Sequence, residues 1–238
     1  MAGDRHSVSV IIPAFNEAGN IATVMSETLD VCQAITDDYE VIVVDDVSTD
    51  ATASIVEDHS RADRQIRLIR NTTRMGCHPS ELKGMQAATK DLLAFIPADL
   101  QIRPSAVATM VAGIGDGDIV IAVRRRRRDH VARRAMASMY ALVVRLVFGI
   151  RLKDLDSATL YTRQLISEIG PLVDPTQPFI PVEVAWRAVR LQKRIRQVEV
   201  DHYPRTSGTP AAITPGFLIR LPFRFLGFAW RCWRIRSG

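Results

Sequence analysis

The sequence predicts an α/β fold in which a mostly parallel sheet lies between layers of helices. Short apolar runs alternate with segments long enough for a helix of ten or more residues, which is the pattern of βαβ units. The runs are continuously apolar, as expected of strands that helices cover on both faces. Each early run also ends on polar or acidic residues. With 238 residues, the chain is long enough for one large domain or two small ones.

The first hundred residues supply four of the predicted strands. Proline stops two of them, because Pro13 and Pro97 cannot donate to a central ladder. Asn16 or Asn20 can cap the first helix, and Thr49 or Asp50 the second. The strands are expected over 7–12, 39–44, 66–70 and 92–96, and the helices over about 18–34, 50–60 and 79–90.

The second half continues the alternation. Pro104 suits the first turn of a helix that ends near Ala112. The last strand alternates apolar and charged residues over 195–200, as a half-buried edge strand does. Between them we expect strands over 118–123 and 158–161 and helices over 130–148 and 181–191.

Polar side chains follow each of the first four strands, where the strand ends. In a parallel sheet these positions share one edge, and open α/β sheets bind ligands there. Oxygens from Asp99 and Gln101 suit a hard divalent cation that carries phosphate. The simpler alternative is a turn in which Asp99 bonds its own backbone. Neither GxGxxG nor GxxxxGK[ST] occurs, which argues against a dinucleotide-binding or P-loop protein. The polar residues are Asn16, Glu17, Asp45, Asp46, Asn71, Asp99 and Gln101.

Positive charge is concentrated locally. The net charge is +5, and residues 124–128 are five consecutive arginines. Arg133 and Arg134 begin a predicted helix, where cations are unfavourable unless an anion is near. Such clusters indicate phosphates, anionic lipid or nucleic acid, although a solvated surface is the simpler alternative. Nucleic acid does not fit the acidic edge. Asp154 and Asp156 are either further acidic site residues or turn formers.

The cysteines and the apolar windows indicate a cellular compartment. Cys32, Cys77 and Cys232 are far apart and odd in number, which argues against a disulfide framework or a cysteine zinc site. No signal-peptide core precedes the first strand, and no window reaches about 18 uncharged apolar residues. We therefore expect a cytoplasmic protein that lies peripherally on the inner face of the membrane.

The tail, residues 215–236, has a basic and an aromatic side. Four arginines would form one stripe on a helix, with phenylalanines and tryptophans on the remaining faces. This pattern is typical of a helix in a membrane interface. The alternative is a helix docked on the domain with its arginines in solvent. Pro222 fits only at the helix start, which leaves Arg220 outside. The stripe comprises Arg220, Arg224, Arg231 and Arg234.

Several motifs together resemble the inverting glycosyltransferases of family 2, and most of all the dolichol-phosphate-mannose synthase group of polyprenyl-phosphate glycosyltransferases. The resemblance runs from Ser7 to about Arg205. Its motifs are VSVIIPAFNE (8–17), VIVVDDVSTDAT (41–52), PADLQ (97–101), the basic segment 127–154 and VEVDHYPR (198–205).

The resemblance implies a GT-A-like nucleotide-binding αβα sandwich over 1–210, followed by a basic aromatic tail over 211–238. It implies a nucleoside-diphosphate sugar and Mg²⁺ or Mn²⁺. Asp99, Arg124 and Arg133 would be catalytic, with the metal on Asp99 and Gln101. The nucleotide would contact Pro13, Phe15, Glu17, Val43 and Asp45, and the acceptor or its phosphate Arg124, Arg133, Ser138 and Arg205.

The expected reaction is transfer of a hexose, with inversion, from a GDP-mannose or UDP-glucose type of donor to a polyprenyl phosphate or similar lipid. The tail would contact anionic membrane, no nucleic acid is expected, and association into a homo-oligomer is left open. The sequence departs from the family pattern at Pro97, which replaces the first Asp of Asp-x-Asp, at Val47, which replaces Gly, and at Ser157-Ala158. These departures keep open a non-catalytic nucleotide-sugar-binding homologue. A second alternative is a transferase with a soluble acceptor, in which the tail serves packing or an oligomer contact.

Overall fold

The computed structural model describes residues 6–125, 131–154, 157–205 and 215–236, without the side chains of 131–137, 215–222 and 235–236. The strands in these residues are β1 (Val8–Ala14), β2 (Tyr39–Asp45), β3 (Ile66–Arg70), β4 (Leu92–Phe95), β5 (Ile119–Arg125), β6 (Thr159–Thr162) and β7 (Ile195–Asp201). The α-helices are α1 (Ile21–Ile35), α2 (Thr52–Ala62), α3 (Cys77–Ala87), α4 (Ala106–Ile114), α5 (Val131–Phe148), α6 (Arg163–Ile169), α7 (Ile180–Arg190) and α8 (Pro215–Arg236).

The strands form one sheet in the order β3-β2-β1-β4-β6-β5-β7. Strands β3, β2, β1 and β4 are parallel to one another, and β7 is parallel to β5. Only β6, among the described strands, runs against its neighbours β4 and β5. The predicted mostly parallel α/β sheet is therefore confirmed, and so is β7 as an edge strand.

Helices cover both faces of the sheet, and successive residues of a strand serve opposite faces. Val10 and Ile12 of β1 join the core beside α1 and α4, whereas Ile11 joins the core beside α3, α6 and α7. Helix α3 approaches β1 closely at Gly84, where a Cβ atom would lie 2.5 Å from Ile11 Cγ2. This two-sided burial explains why the strands are continuously apolar.

Helix α8 extends further than expected. It runs from Pro215 to Arg236, so the prediction that Pro222 must begin the helix was wrong. A proline within a helix removes one backbone hydrogen bond, and the turns that follow Pro222 pack against the domain. Phe228 and Cys232 of α8 are buried in a third core cluster with Val144 of α5.

Arg231 contradicts the alternative in which α8 docks on the domain with all its arginines in solvent. Its guanidinium lies against the domain, with Nη1 2.5 Å from Asp174 Oδ2 and Nη2 2.7 Å from Glu183 Oε2. Glu183 is fully buried and also accepts hydrogen bonds from Arg187. Because a buried carboxylate needs charged partners, Arg231 is one of the contacts that hold α8 against the rest of the domain. Arg224 and Arg234 remain exposed.

Large apolar side chains are nevertheless exposed on the neighbouring helices α5 and α8. We call this set the α5–α8 surface. Its arginines Arg145, Arg224 and Arg234 are exposed as well. In the described part of the chain, no helix combines the length and apolarity required to cross a membrane. The apolar members are Met139, Leu142, Leu146, Val147, Phe223, Leu226, Trp230 and Trp233.

Candidate active site

The carboxyl ends of β2, β1 and β4 lie side by side, because these strands are parallel neighbours. The loops after them therefore meet at one edge of the sheet, as the sequence predicts. Strand β1 leads to Phe15 and Glu17, β2 ends at Asp45, and β4 leads to Asp99 and Gln101. The structure thus brings together the predicted nucleotide and metal residues of these three loops.

The loops after β1 and β2 are joined by side-chain hydrogen bonds. Asn16 adopts a left-handed backbone conformation with φ 54°, and its Oδ1 accepts a hydrogen bond of 2.8 Å from the Thr49 amide. The Asn16 amide donates to Ser48 Oγ at 3.0 Å, and the Glu17 amide to Thr52 Oγ1 at 2.8 Å. Asn16 therefore links two loops, and the predicted cap of α1 at Asn20 makes no side-chain capping bond.

Two of the predicted edge residues, Asp46 and Asn71, have a structural role. Asp46 accepts hydrogen bonds from Asn71 Nδ2 at 2.8 Å and from the amides of Met75 and Gly76 at 2.7 and 2.8 Å. With both carboxylate oxygens occupied, Asp46 fixes the loop that leads into α3. The Asp45 carboxylate is bonded more weakly: it accepts long hydrogen bonds of 3.3 and 3.4 Å from the Ser48 amide, and its Oδ2 lies 3.9 Å from Arg70 Nε.

Pro13 and Val43 are placed inside the sheet. Both are buried strand residues, and Val43 belongs to the core cluster beside α1. The structure therefore does not bring the Val43 side chain to the ligand edge. Phe15 is half-buried, and the exposed Arg74 lies over its ring at 3.6 Å from the centroid. Sequence reasoning missed Arg74, because nothing in the residues around it marks a contact with Phe15.

The Asp99 carboxylate both stabilises the turn after β4 and contacts Arg205. Its Oδ1 accepts a hydrogen bond of 3.1 Å from the Gln101 amide, which is the turn that the simpler alternative predicts. Its Oδ2 lies 3.7 Å from Arg205 Nη1. Between Asp99 and Gln101, Leu100 takes a left-handed conformation with φ 59°. Because the turn uses Oδ1 and leaves Oδ2 on the side of Arg205, the turn is compatible with the alternative in which Asp99 binds a cation.

Arg205 bridges two acidic residues of the edge. Besides Asp99, its guanidinium contacts Glu17 Oε1, while Asn20 Nδ2 donates to Glu17 Oε2 at 2.7 Å. Burial raises the pKa of Glu17, and the Asn20 hydrogen bond and the Arg205 charge oppose that rise. The Tyr203 amide donates to the Gln101 carbonyl at 2.9 Å, which fixes the backbone leading to Arg205 beside the Asp99 loop.

Asp99 and Gln101 fit a divalent cation only if a ligand supplies further oxygens. Within the ranges that the structure describes, no group of three or more His, Cys, Asp and Glu residues could hold a metal ion. Mg²⁺ is commonly held by one or two carboxylates together with substrate phosphates and water. A single carboxylate and an amide at the ligand edge of the sheet are consistent with that mode.

The basic segment contributes an internal ion pair. Arg124, in β5, donates from Nε and Nη2 to the two oxygens of Asp154 at 2.7 and 2.8 Å. Arg125 donates to Glu199 at 3.1 Å. Asp154 is thus a counter-ion, whereas Asp156 and residues 126–128 lie outside the described residues. Ser138 is exposed on α5, and the side chain of Arg133 is not described. The phosphate-binding roles of Arg124, Arg133 and Ser138 stay predictions.

Residues 9–171 match the sequence profile of Glycosyl transferase family 2. The chain belongs to this family. Among curated relatives, this family 2 protein is 28% identical over 220 residues to the undecaprenyl-phosphate 4-deoxy-4-formamido-L-arabinose transferase of Pseudomonas fluorescens strain Pf0-1, covering 92% of this chain and 63% of the relative. It is 28% identical over 205 residues to the enzyme of that name from Proteus mirabilis strain HI4320, covering 85% and 62%. The chain therefore spans less than two thirds of the length of either relative.

Solved structures of glycosyltransferases share the fold. A mannosyltransferase from Pyrobaculum calidifontis, in complex with GDP-Man and Mn²⁺, superposes with a TM-score of 0.64 at 21% identity, covering 86% of this chain and 59% of that one. Glucosyl-3-phosphoglycerate synthase from Mycobacterium tuberculosis, in complex with Mn²⁺, UDP-Glc and phosphoglyceric acid, gives 0.67 at 19% identity, covering 94% and 80%. The family 2 chain thus has the GT-A fold.

Proposed function

We propose that this family 2 protein transfers a sugar from a nucleoside-diphosphate sugar to a polyprenyl phosphate at the cytoplasmic face of a membrane. The observation that carries the proposal is a cluster at the carboxyl edge of a GT-A sheet, which we call the crevice: Arg205 contacts both Glu17 and Asp99, and Asp45 ends the neighbouring strand β2. The curated relatives are named for undecaprenyl phosphate, which favours a lipid phosphate over a soluble acceptor. We take the donor sugar to be a hexose on GDP or UDP.

In the proposed reaction, an oxygen of the acceptor phosphate attacks the anomeric carbon from the face opposite the nucleotide. The bond between that carbon and the diphosphate oxygen breaks, and the nucleoside diphosphate leaves with the electron pair, which inverts the configuration. A phosphate monoester is already mostly ionised at neutral pH, so the acceptor needs no general base from the protein.

The remaining requirement is to stabilise the departing diphosphate. When bound by Asp99 and Gln101, Mg²⁺ or Mn²⁺ would act there as a Lewis acid. Arg205 adds fixed positive charge beside Asp99, where preorganised charge contributes most to the rate. Asp45 and Phe15, at the ends of neighbouring strands, would hold the ribose and base.

The α5–α8 surface would keep the crevice near the lipid phosphate. Tryptophans and aliphatic side chains stand beside exposed arginines on two adjacent helices, the combination that binds an anionic membrane interface. This proposal extends the predicted membrane contact from α8 to α5.

A two-stage experiment tests the function. Thermal shift with GDP and UDP, with and without Mn²⁺, should identify one stabilising nucleoside diphosphate. Its sugar derivatives are then incubated with undecaprenyl phosphate in vesicles, and we expect a glycosyl-phosphoryl lipid with inverted anomeric configuration by NMR. Turnover on water-soluble acceptors without lipid would overturn the lipid assignment. Nucleotide binding without turnover on any lipid phosphate would favour the non-catalytic homologue, for which Pro97 is the specific observation.

A further inference from the structure

We propose that Arg205 competes with the divalent cation for Asp99, so that this protein takes up the cation together with the donor diphosphate and binds it weakly beforehand. The inference rests on the proposed function, because it assumes that Asp99 is the metal ligand. It concerns the order in which the site is filled and the residue that sets this order.

The contacts of Arg205 carry the proposal. Nη1 lies 3.7 Å from Asp99 Oδ2, the carboxylate oxygen that the Gln101 turn does not use. The same guanidinium contacts Glu17 Oε1. The side chains of Arg205, Glu17 and Asp99 are only 21%, 9% and 18% exposed, so water screens their charges poorly. The guanidinium thus serves as the counter-ion of the crevice when no ligand is bound.

Arg205 weakens the attraction of Asp99 for a divalent cation. Among the groups in contact with Arg205, Glu17 and Asp99 contribute two negative charges and the guanidinium one positive charge, so the guanidinium cancels about half of the negative charge that an ion would meet there. Pro97 stands two residues before Asp99 and supplies no carboxylate. A divalent ion at Asp99 would therefore be held by one carboxylate and repelled by a guanidinium only a few ångströms away.

A donor diphosphate removes both obstacles. Its oxygens give the ion further ligands, and its negative charge gives the guanidinium another partner. The backbone cannot carry Arg205 far, because the Tyr203 amide is bonded to the Gln101 carbonyl. A change of side-chain rotamer is therefore the expected movement. Ion and diphosphate should each strengthen binding of the other by the same factor.

Mn²⁺ titration followed by electron paramagnetic resonance tests this directly, with no assay of transfer. For the unmodified protein we expect the Mn²⁺ affinity to rise about 5- to 150-fold, the usual range for coupled sites, when the nucleoside diphosphate identified by thermal shift is present. Arg205→Gln should bind Mn²⁺ several-fold more tightly than the unmodified protein in the absence of nucleotide. Arg205→Lys, which retains the charge, should keep the affinity low.

Two controls isolate the effect. Arg61→Gln removes the same unit of charge from an exposed arginine of α2 that pairs with Asp58, and it should leave Mn²⁺ affinity unchanged. Adding Asp99→Asn to the Arg205→Gln protein should abolish its Mn²⁺ binding, which locates the ion at Asp99. Melting temperatures of all variants verify that each is folded.

The proposal is overturned if Arg205→Gln binds Mn²⁺ no more tightly than the unmodified protein, or if the Asp99→Asn change leaves Mn²⁺ binding intact. It is also overturned if the unmodified protein binds Mn²⁺ equally well with and without nucleotide. Failure of the proposed function would look different, because no nucleoside diphosphate would bind or no nucleotide sugar would be turned over. The nucleotide-free comparison of Arg205→Gln with the unmodified protein would still report on competition.

Discussion

Arg124 and Asp154 form a two-point ion pair in which the side chains are only 12% and 4% exposed. The first arginine of the basic run is therefore part of the folded interior, and its partner is the aspartate that precedes β6. A substitution at either position should therefore lower the stability of the fold directly, whatever its effect on catalysis.

Arg124→Ala is expected to lower the free energy of unfolding by about 3–5 kcal/mol, because it removes a two-point cationic partner from the buried Asp154 carboxylate. Chemical denaturation monitored by circular dichroism measures the change. The double variant Arg124→Met with Asp154→Leu should recover most of the loss. An unchanged denaturation midpoint in Arg124→Ala would show that the pair is dispensable.

Asp99→Asn should reduce transfer by at least about 10²–10³-fold, the usual cost of one charge-stabilising group, and leave the melting temperature unchanged. Asparagine retains the oxygen that accepts the Gln101 amide, so the turn should persist. Asp58→Asn, on the exposed face of α2, is the matched control. Full activity in Asp99→Asn, or in excess chelator, would exclude the metal role of Asp99.

Glu17→Gln should change how stability depends on pH. Burial raises the pKa of Glu17 above its usual 4.5, so the folded protein binds this proton more tightly than the unfolded chain does. Ionisation of Glu17 therefore costs stability as the pH rises from about 4.5 through the folded-state pKa, and the loss is complete above it. Relative to the unmodified protein, Glu17→Gln should become progressively more stable over that interval. Denaturation at a series of pH values tests this, and a constant difference would contradict it.

The paired change Trp230→Ser and Trp233→Ser should weaken binding to anionic vesicles by at least about tenfold, since burying one large apolar side chain contributes roughly 1.5–3 kcal/mol. Both tryptophans are exposed, so the melting temperature should not fall. Phe228→Ala is the contrasting variant: this ring is buried, and its loss should cost about 3–5 kcal/mol of stability. Vesicle co-sedimentation separates the two effects.

These point variants replace deletion of residues 215–238 as the test of the tail. Deletion would remove Arg231 from Asp174 and the buried Glu183 and would expose the third core cluster. Loss of vesicle binding after deletion could then reflect unfolding. If vesicle binding is unchanged in the double tryptophan variant, the α5–α8 surface does not bind membrane.

Val47→Gly should stabilise the protein by up to about 1 kcal/mol. Val47 has φ 64°, a left-handed conformation that costs a β-branched residue about 1–2 kcal/mol, while glycine costs about 0.5–1 kcal/mol in chain entropy. The valine side chain is exposed and gives little packing in return. A lower melting temperature for Val47→Gly than for the parent would refute this.

The strands were predictable because their signals are local. Continuous apolar runs located β3 at Ile66–Arg70 and the other predicted strands to within two residues. The prediction that Pro13 stops the first strand was wrong, because β1 continues through Pro13 to Ala14. The shared edge followed from the rule for parallel sheets. Helix α6, Arg163–Ile169, was not predicted, because seven residues are too few to establish a helical period.

The pairings within the site were not predictable, because they join residues that are distant along the chain. Nothing near Arg231 indicates Glu183, and nothing near Arg124 identifies Asp154 as its counter-ion. Likewise, the roles of Asp46 and Asp45 differ although the two are adjacent, because only Asp46 meets the backbone amides before α3.

The contact between Glu17 and Arg205 spans 188 positions of the chain. During synthesis on a ribosome, the amino-terminal carboxylate is therefore present long before the arginine that meets it emerges from the exit tunnel. A nascent chain that stops after β6 carries every acidic group of the crevice but lacks this cation. Immobilised nucleotide should consequently retain chains that include Arg205 better than chains arrested after β6.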